Sequence, residues 1–207
     1  MKKLLVATSN PGKKREILSV LRNIENQIQI LTLNDFDNIE EPEETGSTFE
    51  ENAELKARYY AKKTGLATLS DDGGIMIDVL NGEPGVQSRR WPGYRATDKE
   101  LIEFTLKKLS YFDDSKRSAK LETVTCFYNP ESKKIYFSKE NIEGRIAQKP
   151  YSNIPAGYPY RSLFVLSKYN KYYDELTLNE HEKINHRIKA VKNIMPHIKA
   201  ELLPSKI

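Results

Sequence analysis

The sequence predicts a mixed α/β domain. Three observations carry that reading: an apolar run that turns directly into a helical pattern, further strand–helix alternation to about residue 109, and a middle section built from paired strand-like runs. The run Lys3-Leu4-Leu5-Val6-Ala7-Thr8 has the length of a short buried strand, and Ser9-Asn10-Pro11-Gly12 supplies turn chemistry after it. Ile17, Leu18, Leu21 and Ile24 then fall at helical spacing, which predicts a helix over 14–24. Residues 28–33 read as a second strand, and the acidic, proline-containing stretch 35–46 as a loop. Thr48 with Glu51 three residues on is a capping-box signature, so a helix is expected from there to about Thr64, with Phe49, Ala53, Ala57, Tyr60 and Ala61 as its apolar stripe. Leu66–Ser70 reads as a strand ending at Asp71-Asp72-Gly73-Gly74, and 98–109 as a helix with Asp98 as its cap. Residues 123–128 and 134–138, joined by Asn129-Pro130-Glu131-Ser132, predict a hairpin. Residues 150–160 form an irregular loop, 163–166 a short strand, and 180–202 a helix that Pro196 should kink or break. With no repeat and no linker-like boundary, residues 1–207 are expected to form one domain.

Composition narrows the function classes. The 33 basic and 29 acidic residues leave a net charge of +4, interspersed along the chain rather than clustered, which fits a solvated surface or a small polyanionic substrate better than a nucleic-acid interface. No run approaches the ~20 apolar residues of a membrane span, and Leu4–Ala7 is too short for a signal peptide. Cys126 has no internal partner for a disulfide, which suits a reducing cytosol. A cytoplasmic protein without membrane or stable nucleic-acid partners is expected.

Three segments have the residue types for phosphate chemistry. Thr8-Ser9-Asn10-Pro11-Gly12-Lys13 lies between a strand and a helix N-terminus, where backbone N–H groups, hydroxyls, an amide and an ammonium converge on an anion site. It lacks Walker A spacing, and Ser, Asn and Gly also serve a plain turn. In Glu44-Thr45-Gly46-Ser47-Thr48, followed by the helix, Asn52 and Lys56 are four apart and share one helix face, as they would also in an ordinary capped helix. Ser70-Asp71-Asp72-Gly73-Gly74 sets two carboxylates side by side, which repel unless a cation or proton intervenes. They suit Mg²⁺, which takes a carboxylate or two and completes its shell with water and phosphates. Glycines there let a substrate approach the backbone, although an Asp-Gly turn reads the same way. Glu83–Trp91 and Asn185-His186-Arg187 could each be surface.

The order of these segments resembles the Ham1 or inosine triphosphate pyrophosphatase family: T-S-N-P-G-K at 8–13, E-T-G-S-T-F-x-x-N-A-x-x-K-A at 44–57, S-D-D-G-G at 70–74, P-G-V-Q-S-R-R-W at 84–91, and N-H-R-I-K-A at 185–190 in place of an SHR motif. The resemblance spans essentially the whole chain. It implies an elongated mixed β-sheet flanked by helices, in two lobes with a nucleotide cleft between them, and a homodimer. It implies hydrolysis of noncanonical purine nucleoside triphosphates (ITP, dITP, XTP) to monophosphate and pyrophosphate. Thr8, Asn10, Lys13 and Lys56 would then hold the substrate's triphosphate, with Ser9, Asn52 and Gly73 also substrate-binding, Gly73 replacing a Ser common in relatives. Glu44 and Asp72 would hold Mg²⁺, with Asp72 also acting on the attacking water. Tyr158, Tyr160, Arg161, Lys183, His186 and Arg187 would line the base site.

The chain departs from the family where G-[FY]-G-[YW]-D-P-[IL]-F is replaced by Gly157-Tyr158-Pro159-Tyr160-Arg161-Ser162-Leu163-Phe164. An anion has become a cation at Arg161. Guanidinium only donates, and the 6-oxo group of inosine, xanthine or guanine accepts, so Arg161 is expected either to read that oxygen or to face solvent. The Lys preceding the SHR motif falls on His181 in one register and Lys183 in another. The competing readings are a Maf-type nucleotide pyrophosphatase, which resembles the opening but lacks the 44–57 segment, a nucleotide-binding protein without activity, a pyrophosphatase retuned to another base, and a nucleic-acid-binding module.

Overall fold

A computed structural model describes residues 1–152 and 156–203. The strands are β1 (Lys2–Ala7), β2 (Ile28–Thr32), β3 (Ala67–Ile77), β4 (Ser118–Asn129), β5 (Lys134–Ile146), β6 (Phe164–Leu166) and β7 (Lys171–Tyr172). The helices are α1 (Pro11–Leu21), α2 (Phe49–Thr64), α3 (Asp98–Lys108), α4 (Leu178–Ile184) and α5 (His186–Leu202). The strands form one mixed sheet in the order β2-β1-β3-β4-β5-β6-β7. β1 runs parallel to both β2 and β3, and β6 antiparallel to β5 and β7. The predicted α/β class is therefore correct. The described part of the 150–160 loop has no strand or α-helix, and residues 153–155 of it lie outside the described residues.

The chain divides into two compact units: Met1–Asp72, Thr123–Glu140 and the residues from Arg187 onward form the first, and Gly73–Glu122 with Asn141–His186 the second. The core of the first packs Leu4, Val6, Ile17, Leu21, Leu69 and Phe127 with Ile188, Val191, Ile194 and Ile198 of α5. The core of the second gathers Ile75, Ile77, Leu101, Leu121, Ile146, Leu163, Phe164 and Tyr173. In that unit Gly144 faces β6 so closely that a Cβ would lie 2.4 Å from the Val165 carbonyl oxygen, so no larger residue fits without displacing the strand.

Several boundaries differ from expectation. α1 begins at Pro11, with Asn10 as its cap, because proline's fixed φ and missing N–H suit the first helical position. Thr97, not Asp98, caps α3: its hydroxyl accepts from the Glu100 N–H while Glu100 reaches back, completing a capping box. Asp98 instead accepts from the Gly157 N–H and pairs with Arg89. β3 does not turn at Asp71–Gly74 but passes straight through it. The C-terminal helical stretch breaks at Asn185, whose ψ of 114° leaves the helical region, and α5 continues through Pro196. An interior proline costs ~3 kcal/mol, whereas each buried aliphatic side chain returns ~1.5–3 kcal/mol. The buried face of Ile188, Val191, Ile194, Ile198 and Leu202 outweighs one proline.

Candidate active site

Parallel pairing of β1 with β3 builds the first half of the site. Ala7 stands opposite Ser70, so the turn at the carboxyl end of β1 lies beside the paired aspartates, which carry β3 on past the end of β1. The Asn10 side-chain oxygen accepts from the N–H groups of Gly12 (2.8 Å) and Lys13 (3.1 Å), and Asn10 N–H donates to the Thr8 hydroxyl (3.3 Å). Ser9 is exposed on this turn.

Adjacent residues on a strand project to opposite faces, so Asp71 and Asp72 each meet their own cations and the expected repulsion is relieved. The fully buried Asp71 carboxylate lies 3.2 Å from Lys13 Nζ and accepts from Arg187 Nε (2.9 Å) and the Thr123 hydroxyl (3.3 Å). Burial pushes its pKa up, but Lys13, Arg187 and Lys56 outweigh that and hold it well below the usual carboxylate range. Arg187 also donates from Nη1 to Glu16 at 2.7 Å. The Thr123 hydroxyl is also 3.2 Å from the Asp72 carbonyl oxygen, fixing the strand at this point.

Asp72 and Glu44 converge on one ammonium. Lys56 Nζ is 2.7 Å from Glu44 Oε1 and 3.1 Å from Asp72 Oδ1. Burial lowers the Lys56 pKa, but Asp72, Glu44 and Asp71 overcome it and hold the amine above its ordinary value. Asn52, one turn before Lys56 on α2, is 1% exposed and clasps the loop that carries Glu44: it accepts from Gly46 N–H at 2.8 Å and donates to Gly46 O at 3.4 Å. A Cβ on Gly46 would lie 2.6 Å from the Asn52 oxygen, so this loop requires glycine. The shared face of Asn52 and Lys56 was legible from their spacing; the Asn52 side chain positions backbone there.

The remaining expected substrate-binding residues are distributed as follows. Gly73 is partly exposed on β3. Gly74 faces Ser88, whose hydroxyl accepts from Ile75 N–H (3.2 Å) and donates to Gly85 O (2.6 Å). Tyr160 is a packing residue in the second core: its hydroxyl donates to the Ser88 carbonyl and burial pushes its phenol up. Arg161 does not face solvent. Its side chain is 11% exposed, 3.3 Å from Asp174 Oδ1, in contact with His181 Nε2, and 4.3 Å from the ring centroids of both Tyr158 and Tyr173. His181 is therefore the residue beside Arg161, while Lys183 is exposed on α4. His186 is buried at the start of α5, contrary to a solvated His-Arg pair, and Arg187 is committed to Asp71 and Glu16. Sequence reading missed Glu16, Thr123 and Asp174 as site neighbours. Only Glu16, one turn from Lys13, carried a local signal. Among the described residues no three His, Cys, Asp or Glu side chains form a metal cage, and no helix is long and apolar enough to cross a membrane.

Comparison with known proteins shows the family of the chain. The model of the Ham1 family matches residues 4–197. A dITP/XTP pyrophosphatase of Elusimicrobium minutum is 41% identical over 199 residues, covering 95% of this chain and 100% of that protein. The dITP/XTP pyrophosphatase of Lactobacillus acidophilus is 36% identical, covering 93% and 95%. The solved structure of a HAM1 protein from Coxiella burnetii superposes with a TM-score of 0.84 at 35% identity, covering 97% of this chain and all of the other. By sequence over nearly its whole length and by fold, the chain belongs to the Ham1 family.

Proposed function

We propose that this protein hydrolyses noncanonical purine nucleoside triphosphates, of the dITP and XTP type, to the monophosphate and pyrophosphate. The observation that carries the reading is the Lys56 ammonium held between Glu44 and Asp72, with Lys13 on Asp71 beside it. The names of the relatives supply the substrate class.

Lys13 and Lys56 neutralise triphosphate oxygens, and the turn at 8–13 offers backbone donors. Water attacks the α-phosphorus, the bond to the bridging oxygen breaks, and pyrophosphate leaves with its new charge facing these ammonium groups. Asp72, already ionic with Lys56, accepts the water's proton. Arg187, anchored by Asp71 and Glu16, adds positive charge to the same region and keeps Lys13 company on Asp71.

The donor set fits a hard divalent ion such as Mg²⁺: two carboxylates meet at one cationic position, too few for a closed protein cage but suited to an ion that also takes phosphate oxygens. Glu44 and Asp72 would hold it, and it would supply charge neutralisation and polarisation of the α-phosphate. Tyr158 and His186 are assigned to the base, with Arg161 at the same end of the site. A cytoplasmic homodimer accompanies this reading, and sedimentation tests the dimer.

The decisive experiment is pyrophosphate release from ITP, dITP, XTP, GTP, ATP and dUTP with Mg²⁺. Preference for ITP and XTP, lost in Asp72→Asn, supports the proposal. A folded protein that cleaves no triphosphate refutes it.

A further inference from the structure

We infer that Arg161 is a positioning residue: it braces the Tyr158 ring as a stacking platform and does not read the purine's 6-oxo group. The inference rests on the proposed nucleotide reading and assigns the base end of that site. Guanidinium is planar, weakly hydrated and stacks well on aromatic faces. Its carbon lies 4.3 Å from the centroids of both Tyr158 and Tyr173. Tyr173 is fully buried and belongs to the second core with Leu163, Phe164 and Ile184. Tyr158 is partly exposed. The guanidinium thus links a ring fixed in the core to one that reaches the surface.

The edges of the guanidinium are held as firmly as its faces. Asp174, 6% exposed, pairs with Nε at 3.3 Å. Nη2 contacts His181 Nε2, and because guanidinium can only donate, that ring nitrogen accepts, which places the histidine proton on Nδ1. His181 in turn meets Tyr173 edge-on, with centroids 5.1 Å apart. Asp174 and His181 turn Arg161 toward the protein and set the plane of its stack. A purine then lies on the face of Tyr158 turned away from Arg161. Stacking of this kind is tolerant of base identity, since every purine offers a π-face.

The test is a double-mutant cycle in nucleotide affinity, run with Mg²⁺ on the Asp72→Asn protein so that ligand is not consumed. ITP and ATP are the probes, and binding is read by calorimetry. Tyr158→Ala and Arg161→Ala should each weaken both nucleotides by about tenfold. The double variant should lose about tenfold, not the hundredfold of independent contacts. Asp174→Asn should weaken both nucleotides by a smaller, equal factor, and Arg161→Lys, which keeps the charge, covers the case in which the alanine variant fails to fold. A loss confined to ITP, or multiplicative losses in the cycle, would overturn the brace. Wild-type release of pyrophosphate from ITP with an additive cycle keeps the proposed function and rejects the brace. Coupled losses in a protein that releases no pyrophosphate do the reverse, and failure of the wild-type protein to bind or cleave any triphosphate rejects both.

Discussion

Replacing Lys56 by Gln should move metal affinity and turnover in opposite directions. Lys56 Nζ lies 2.7 Å from Glu44 and 3.1 Å from Asp72, with side-chain exposures of 13%, 28% and 10% for the lysine, the glutamate and the aspartate. At an effective dielectric of ~20 each contact has a formal attraction of roughly 5–6 kcal/mol. Desolvation cancels most of it, leaving about 1.5–3 kcal/mol net for a charged hydrogen bond. A divalent ion taking those carboxylates must displace the ammonium from at least one, which weakens its binding by about ten- to a hundredfold at 1.4 kcal/mol per decade. Lys56→Gln removes that competition, so the nucleotide-free protein should bind Mn²⁺ or Mg²⁺ about ten- to a hundredfold more tightly. Turnover should fall about 10²–10³-fold, since the phosphates lose a preorganised cation. Calorimetric metal titration without nucleotide, paired with pyrophosphate release from ITP, measures both. Metal affinity that is unchanged or weaker in the variant would refute the idea that ammonium and metal share these oxygens.

Other perturbations have equally definite expected outcomes. Asp72→Asn should reduce turnover at least ~10³-fold while the thermal midpoint moves by only a few degrees, because the strand is still held through the backbone contact with Thr123. Asn52→Ala unclasps Gly46 and should raise the metal concentration needed for half-maximal rate, with a stability loss of ~1–3 kcal/mol, or a drop in midpoint of ~2–4 °C per kcal/mol. Gly74→Ala would place a Cβ 2.0 Å from the Ser88 hydroxyl and 2.9 Å from the Gly85 carbonyl. It should cost ~1–3 kcal/mol by overpacking, and Ser88→Ala should recover only part of it, because the carbonyl stays. Glu201 accepts from Ser132 (2.6 Å), Lys134 (2.8 Å), Tyr136 (3.0 Å) and Asn129 (3.2 Å). The Lys134 and Ser132 contacts lead in lowering its pKa to about 2, from an ordinary 4.5. A depressed folded value means its stabilisation is complete above pH 4.5 and is lost as pH falls toward 2. Glu201→Gln should therefore flatten acid destabilisation across that window, and an unchanged acid limb in chemical denaturation would refute the assignment.

Local chemistry accounts for the parts that sequence alone conveyed. Thr48 with Glu51 set the start of α2 by completing a capping box within four residues, and the four-residue spacing of Asn52 and Lys56 placed them on one face. The order of motifs from Thr8 to Arg187 conveyed the family, because each short segment keeps its own backbone requirement. Where two local signals competed, burial decided. Asp-Asp-Gly-Gly is turn chemistry, yet β3 runs through it because Lys13, Arg187 and Lys56 compensate the two carboxylates. Pro196 ends helices in isolation, yet α5 continues because its apolar face is embedded in the first core.

Long-range partners had no such local trace. Asp71 meets Arg187 across 116 residues, and Arg161 meets His181 across 20. Nothing in the spacing of Arg161 distinguishes a base-reading cation from a solvent-facing one. Its surroundings become defined only when the core fixes Tyr173 and brings Asp174 and His181 to the same guanidinium. Capping, periodicity and motif order depend on neighbours a few residues away and are written in the chain. The pairing of a buried charge depends on which distant groups share its low-dielectric surroundings, and only the folded packing sets that.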